Sequence, residues 1–306
     1  MSLPDGERLF IGDGGLETTM IFREGFELPE FAAFTLLAEP SGREALRRYY
    51  GEFIEIARRH GAGFTLDTPT WRGSSGWGEK LGYSSSEVAD VNREAVDFAA
   101  AIRAEEEGAE TPIAICGVLG PQGDAYHPEA VLDADEAASY HAAQVETLTA
   151  AGVDMVAAYT LTYAEEAIGI AGAAGIPVSI SFTVETDGRL PSEEPLGEAI
   201  ERVDAGTASG ATYFMINCAH PSHFGGVIDG GGAWLQRLGG IRANASRMSH
   251  EELDDAEELD DGDPAELARE YRALEPGLPA LRVLGGCCGT DSRHIAAICD
   301  ACLPGS

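Results

Sequence analysis

Lysine is almost missing from this chain: Lys80 is the only one, and the other basic residues are arginines. Against 20 Lys and Arg stand 52 Asp and Glu, a formal net charge of -32. A surface of that sign repels nucleic-acid phosphates and anionic membranes, so neither is expected as a partner. Such a surface stays soluble where salt screens its self-repulsion, and a halophilic source is expected. No stretch reaches the roughly 18 consecutive apolar residues of a membrane helix. The first residues carry Asp5 and Glu7 and lack the basic and apolar segments of a signal peptide, so a cytoplasmic location is expected. Six cysteines are too few for a disulfide scaffold in a chain of 306 residues, which favours free thiols or metal ligation. No proline-rich or low-complexity linker divides the sequence, and residues 1–306 read as one domain.

What is present is an alternation. Short apolar, β-branched runs at 9–13, 63–68, 112–117, 154–159, 177–183, 212–218, 239–243 and 281–286 read as strands. Longer stretches with helical periodicity separate them, among them 42–60, 86–107, 134–151 and 163–174. Ser86, Asp133 and Ser292 are expected to cap helices, with Gly61, Gly108, Gly152 and Gly175 closing others. Eight βα units predict an α/β fold, a single (β/α)8 TIM barrel. A doubly wound open sheet is the alternative, because strand order cannot be read from one chain. The acidic run 251–263 predicts a solvated helix or loop in the seventh crossover, and its spacing does not fit an EF-hand loop.

In a barrel, chemistry sits where strands end and the following loops begin. Strand one ends in Gly12-Asp13-Gly14-Gly15, strand two in Asp67-Thr68, strand four in Tyr159-Thr160 and strand six in Asn217-Cys218. Strand eight ends in Gly285-Gly286-Cys287-Cys288-Gly289-Thr290. Cys218, Cys287 and Cys288 therefore share one rim. Adjacent cysteines seldom bridge each other, because a vicinal disulfide is strained. Three thiolates suit zinc at ~2.3 Å and leave a fourth position open, the mark of a catalytic site. The first-strand turn lacks the third glycine of a dinucleotide fingerprint; it reads as a tight turn whose amides meet a carboxylate, with Asp13 available to a cation. Cys116 is expected to be a buried structural thiol, and Cys299 and Cys302 to be packing residues of the last helix. His220 and His223 are expected to support the site or lie at the surface rather than bind metal.

These motifs resemble the homocysteine S-methyltransferase family along nearly the whole chain: IGDGG, GVLGPQGD, SISFTVETDG, INCAHP and GGCCGT. The resemblance implies zinc on Cys218, Cys287 and Cys288. It also implies that Asp13, Gly14 and nearby amides hold the amino-acid part of a thiol substrate. The family's strand four usually ends in Glu-Thr, whose carboxylate helps hold the substrate ammonium; here the pair is Tyr159-Thr160. A phenol carries no charge near neutral pH. Glu165 and Glu166, on the following helix, are not taken as substitutes, and Asp67 is the candidate for a compensating charge. Thr160 and Asn217 complete the expected substrate-binding set.

The implied reaction moves a methyl group from a small onium donor (S-methylmethionine, betaine or S-adenosylmethionine) to a zinc-bound thiol, with homocysteine giving methionine. Another thiol, a corrinoid-protein donor, or a non-catalytic zinc- or thiol-binding barrel are the alternatives. Trp71, Trp77 and Tyr159 are expected to cradle an onium by cation–π attraction worth roughly 0.5–2 kcal/mol each. A homo-oligomer is compatible with this reading.

Overall fold

A computed structural model of the chain describes residues 3–4, 8–125, 131–256 and 258–303. Eight parallel strands run in sequence order: β1 (Phe10–Ile11), β2 (Gly63–Asp67), β3 (Ile113–Leu119), β4 (Met155–Leu161), β5 (Val178–Phe182), β6 (Tyr213–Asn217), β7 (Leu238–Ala243) and β8 (Val283–Gly286). β1 pairs with β2 through Phe10 and Gly63 and with β8 through Phe10 and Val283. That second pairing closes the sheet, so the fold is a single (β/α)8 barrel and the open-sheet alternative is excluded.

Nearly every strand residue is buried, as both faces of a closed parallel sheet must be. Side chains pointing inward, including Phe10, Cys116, Met155, Tyr213, Met215 and Val283, form a small cluster that fills the barrel. Those pointing outward meet the helices in a much larger core. Each large side chain so buried contributes about 1.5–3 kcal/mol. The filled interior leaves the C-terminal mouth as the place for a cavity.

The helices are α1 (Leu16–Phe22), α2 (Pro40–Arg59), α3 (Ser75–Lys80), α4 (Ser85–Glu106), α5 (Ala134–Ala151), α6 (Ala164–Ala173), α7 (Leu196–Thr207), α8 (Pro221–Asp229), α9 (His250–Asp254), α10 (Pro264–Leu274) and α11 (Ser292–Cys302). In α2, Leu46, Tyr50, Phe53, Ile54 and Ala57 repeat at helical spacing and are buried against the barrel. Asp133 caps α5 as expected. Two other caps differ. Ser84, not Ser86, begins α4, because its hydroxyl accepts the Glu87 amide while the Glu87 carboxylate takes the Ser84 amide. Asp291, not Ser292, begins α11, accepting the Arg293 amide. In both, a partner three residues on, Glu87 for Ser84 and His294 for Asp291, returns a bond to the capping residue's amide and outweighs a nearby serine.

Two further differences bear on function. β4 does not stop at Tyr159-Thr160; its pairing with β5 is irregular between Ala158 and Leu161, and Thr160 has a φ of 64°. The acidic run 251–263 does lie in the seventh crossover, but Leu253, Asp254, Glu258 and Asp260 line the cavity at the barrel mouth. Ion pairs hold this segment down: Asp261 meets Arg23 at 2.7 Å and Arg293 at 2.6 Å, and its carbonyl accepts from His294 at 2.8 Å.

Candidate metal centre and the cavity around it

β6 delivers Cys218 and β8 delivers Cys287 and Cys288 to the same rim. The Cys218 sulfur lies 3.2 Å from that of Cys287 and 3.5 Å from that of Cys288. All three sulfurs fall within 4.8 Å of one another, and they are the one metal-ligand cluster of its kind among the described residues. Sulfurs at ~2.3 Å around a tetrahedral ion sit about 3.8 Å apart. The donor set therefore fits zinc in both chemistry and spacing.

The backbone explains how three cysteines converge. Cys218 has a φ of 57°, a left-handed conformation that costs a non-glycine residue on the order of 1 kcal/mol or more. Its carbonyl accepts from His250 Nε2 at 2.9 Å and from the Thr183 hydroxyl at 3.3 Å. His250 Nδ1 in turn lies 3.1 Å from the Glu185 carboxylate. A carbonyl can only accept, so Nε2 carries the proton. On the other side, the Cys287 amide donates to Ala243 at 2.9 Å, and the Cys287 carbonyl takes the Thr290 hydroxyl at 2.7 Å. Gly15 permits a close approach: a Cβ there would lie 2.7 Å from the Cys287 carbonyl oxygen. The Gly15 amide donates to the Thr290 carbonyl at 3.0 Å, so it is committed to joining the first turn to the GGCCGT turn rather than to a substrate carboxylate. The Cys287 thiol is held well below its ordinary value, first by hydrogen bonds with Cys218 and Cys288 and then by the Arg242 charge, while Cys288 is pushed up.

A cavity of about 360 Å³ opens over the sulfurs, within the range of small-molecule sites. Every expected site residue borders it: Asp13, Gly14, Asp67, Tyr159, Thr160, Asn217 and the three cysteines. Their surroundings refine their roles. Asn217 accepts the Thr160 amide at 2.9 Å and the Ser181 hydroxyl at 2.6 Å, and donates to the Thr160 hydroxyl at 2.8 Å. It thereby fixes the irregularity in β4, and its amide also points to the Cys287 sulfur at 3.8 Å.

The residue that sequence reading missed is Arg242. It is 6% exposed, projects from β7 into the barrel, and donates to both Asp13 and Asp67, the latter at 2.9 Å. Gly12 makes room for it, since a Cβ there would lie 2.5 Å from the guanidinium. Burial pushes both carboxyls up, Asp67 to about 7, and the Arg242 charge opposes it. Asp13 is thus paired with a protein cation. One Asp67 oxygen is buried outside hydrogen-bond geometry, and the Tyr159 hydroxyl and Cys116 thiol beside the carboxyl add to the downward pull on it. The available signal was an arginine in an apolar strand buried on both faces, which must find carboxylates inside the barrel.

The expected aromatic cradle is mostly taken. Trp77 is buried away from the cavity, with Arg72 3.6 Å and Lys80 3.8 Å from its ring. Trp71 and Tyr159 border the cavity, but Arg72 lies 4.0 Å from the first ring and Arg242 5.1 Å from the second. Cys116 packs inside the barrel. Cys299 and Cys302 pack in α11, their thiols pushed up to about 12 and about 11 by burial. His220 caps α8 and is pushed down to about 4 by burial, while His223 meets the Arg247 carbonyl at 3.0 Å.

The sequence profile of the homocysteine S-methyltransferases matches residues 10–302. The chain belongs to the homocysteine S-methyltransferase family. Membership makes it a methyltransferase enzyme of that family, with the cysteine-ringed cavity at its barrel mouth as the candidate active site. Among solved structures it is similar to the homocysteine methyltransferase MmuM from Escherichia coli. The oxidized form gives a TM-score of 0.73 at 20% identity, covering 97% of this chain and 99% of that one. The metallated form gives 0.73 at 20% identity, with 96% of each chain covered. At that identity the likeness speaks for the fold. A search of curated proteins returned no match. Among the described residues no helix is long and apolar enough to cross a membrane.

Proposed function

We propose that this family member is a zinc-dependent S-methyltransferase that moves a methyl group from a small onium donor to a thiol, with homocysteine as the thiol and methionine as the product. The observation that carries this is the meeting of three cysteine sulfurs within 4.8 Å, at the floor of a cavity sized for small molecules. An alkyl thiol with a pKa of about 8.5 is mostly protonated at neutral pH. Cys218, Cys287 and Cys288 would hold zinc, which would supply the acidity that deprotonates a fourth thiol and leaves its sulfur nucleophilic.

The chain's own residues do the rest. His250 and Thr183 hold the Cys218 backbone, and Asn217 holds the β4 irregularity beside it. Asp13 and Asp67, which share Arg242, bring their carboxylates to the wall of the space for the amino-acid end of the thiol. Gly14, Tyr159 and Thr160 border the same space. The acidic crossover segment lines the cavity with Asp254, Glu258 and Asp260 and favours a cationic donor. Methyl transfer balances simply: the donor's carbon–sulfur or carbon–nitrogen bond breaks, the new sulfur–methyl bond forms, and the donor leaves as a neutral thioether or amine. The thiol proton is released to water. Alignment of donor and thiol within near-attack distance is the remaining requirement.

A second reading, a different thiol, is favoured by two observations: an uncharged Tyr159 borders the cavity from β4, and Arg242 occupies Asp13. Zinc analysis followed by a panel of thiols against S-methylmethionine, betaine and S-adenosylmethionine in high-salt buffer tests both. Methionine formed from homocysteine supports the first reading; methylation of another thiol alone supports the second. A Cys287→Ser protein with stoichiometric zinc and full turnover would rule the site out.

A further inference from the structure

We infer that Glu17 is the counter-charge for a cationic group of a substrate bound over the three cysteines. The inference rests on the methyl-transfer reading and adds a recognition residue to it. The shared chemistry is a fixed positive charge on nitrogen or sulfur: the ammonium of an amino-acid thiol, or the onium centre of the donor.

Glu17 sits in the first turn of α1, directly after the GDGG turn, and borders the same cavity as the cysteines. It is half-buried, and its carboxylate takes no hydrogen bond or ion pair from any other described residue; its own backbone amide is the donor in reach. Burial raises its pKa to about 7, its own backbone amide pulls against that, Cys287 and Asp13 add upward pressure, and the Arg72 charge opposes it. A half-buried carboxylate beside other negative groups, with the nearby Arg72 stacked over the Trp71 and Trp77 rings and not ion-paired to it, suits a ligand that brings a charge of its own.

The other acids around the cavity are placed differently. Asp13 and Asp67 share Arg242. Asp260 accepts from the Ser246 hydroxyl at 2.6 Å and the Gly262 amide at 3.1 Å. Asp124, Asp254 and Glu258 are exposed to water, where a carboxylate gains little from pairing. The aromatic rings that border the cavity already carry arginines, so a cation has less to gain from them. Glu17 combines a half-buried position with a place on the wall of the cavity that the sulfurs also border. A methyl group moves in line between two heavy atoms, which keeps the donor's charge within a few ångströms of the acceptor sulfur.

The test uses zinc-loaded full-length protein, wild type, Glu17→Gln and Glu17→Asp, each first shown to hold the same zinc. In Glu17→Gln, the KM of the substrate whose cation faces Glu17 should rise about tenfold to a hundredfold, and that of the other less than about twofold. A shift in the thiol KM assigns the ammonium; a shift in the donor KM assigns the onium. Glu17→Asp, which keeps the charge, should recover part of the loss. Calorimetry gives a readout free of turnover, comparing homocysteine with 4-sulfanylbutanoate and S-methylmethionine with methionine. Wild type should prefer the cationic member of one pair, and Glu17→Gln should lose that preference. Both KM values and both preferences unchanged in Glu17→Gln would overturn the inference. Absence of methyl transfer by wild type would instead strike the parent reading, and the calorimetric comparison would still decide Glu17.

Discussion

Replacing Arg242 with leucine removes the cation shared by two buried carboxylates. Arg242, Asp13 and Asp67 are 6%, 2% and 7% exposed, so water cannot replace the lost partner. Breaking a buried ion pair by removing one member costs about 3–5 kcal/mol. With an unfolding entropy of roughly 2.1 cal/mol/K per residue over this chain, that is a fall in Tm of roughly 5–8 °C. The loss should depend on pH in a defined direction. In the wild type the Asp67 carboxyl titrates at about 7 when folded, against an ordinary 3.8. Between those values the folded state binds more protons than the unfolded one, so stability falls as pH rises through the window. Without Arg242 the carboxyls lose the charge that opposed this shift, and their penalty extends to higher pH. The gap between Arg242→Leu and wild type should therefore be largest at pH 8 and shrink at pH 5.5. Thermal unfolding of both proteins at the two pH values measures this. Asp67→Asn in the Arg242→Leu background should regain part of the loss at pH 8. A gap that is the same at both pH values, or a shift under 1 °C, would refute the ion-pair account of this residue.

His250→Leu removes the donor that holds the Cys218 carbonyl and should weaken zinc binding about tenfold to a hundredfold, as loss of a ligand's support does. Chelator competition reads this directly, and a zinc affinity within twofold of wild type would count against the positioning role. Separately, a net charge of -32 on one chain makes self-repulsion a large term at low salt. Raising salt from about 0.1 M to about 1 M shortens the screening length from about 10 Å to about 3 Å, so Tm should rise. A Tm that falls over that range would argue against a surface adapted to salt.

The barrel and its sulfur site were legible because two signals coincided. Strand runs such as 212–218 and 281–286 were continuous and apolar, and the cysteines stood at their ends. What was hidden depended on contacts between distant segments. The irregularity at Thr160 follows from Asn217, nearly sixty residues away, and nothing local to β4 announces it. The acidic crossover reads as solvated by composition, yet Arg23 and Arg293 draw Asp261 down beside the cavity. Arg242 lies between Ile241 and Ala243 in an otherwise apolar strand; its partners come from β2 and the turn after β1. Glu17 carries no local signal, because the glycines and Asp13 before it account for the turn without it.

The most direct measurement is zinc-edge X-ray absorption on the metal-loaded protein, with and without homocysteine. Three sulfur scatterers at ~2.3 Å are expected in the absence of thiol, rising to four when it is added. Failure to bind zinc, fewer than three sulfurs around it, or a shell that does not change on adding any thiol would contradict a catalytic centre built from Cys218, Cys287 and Cys288.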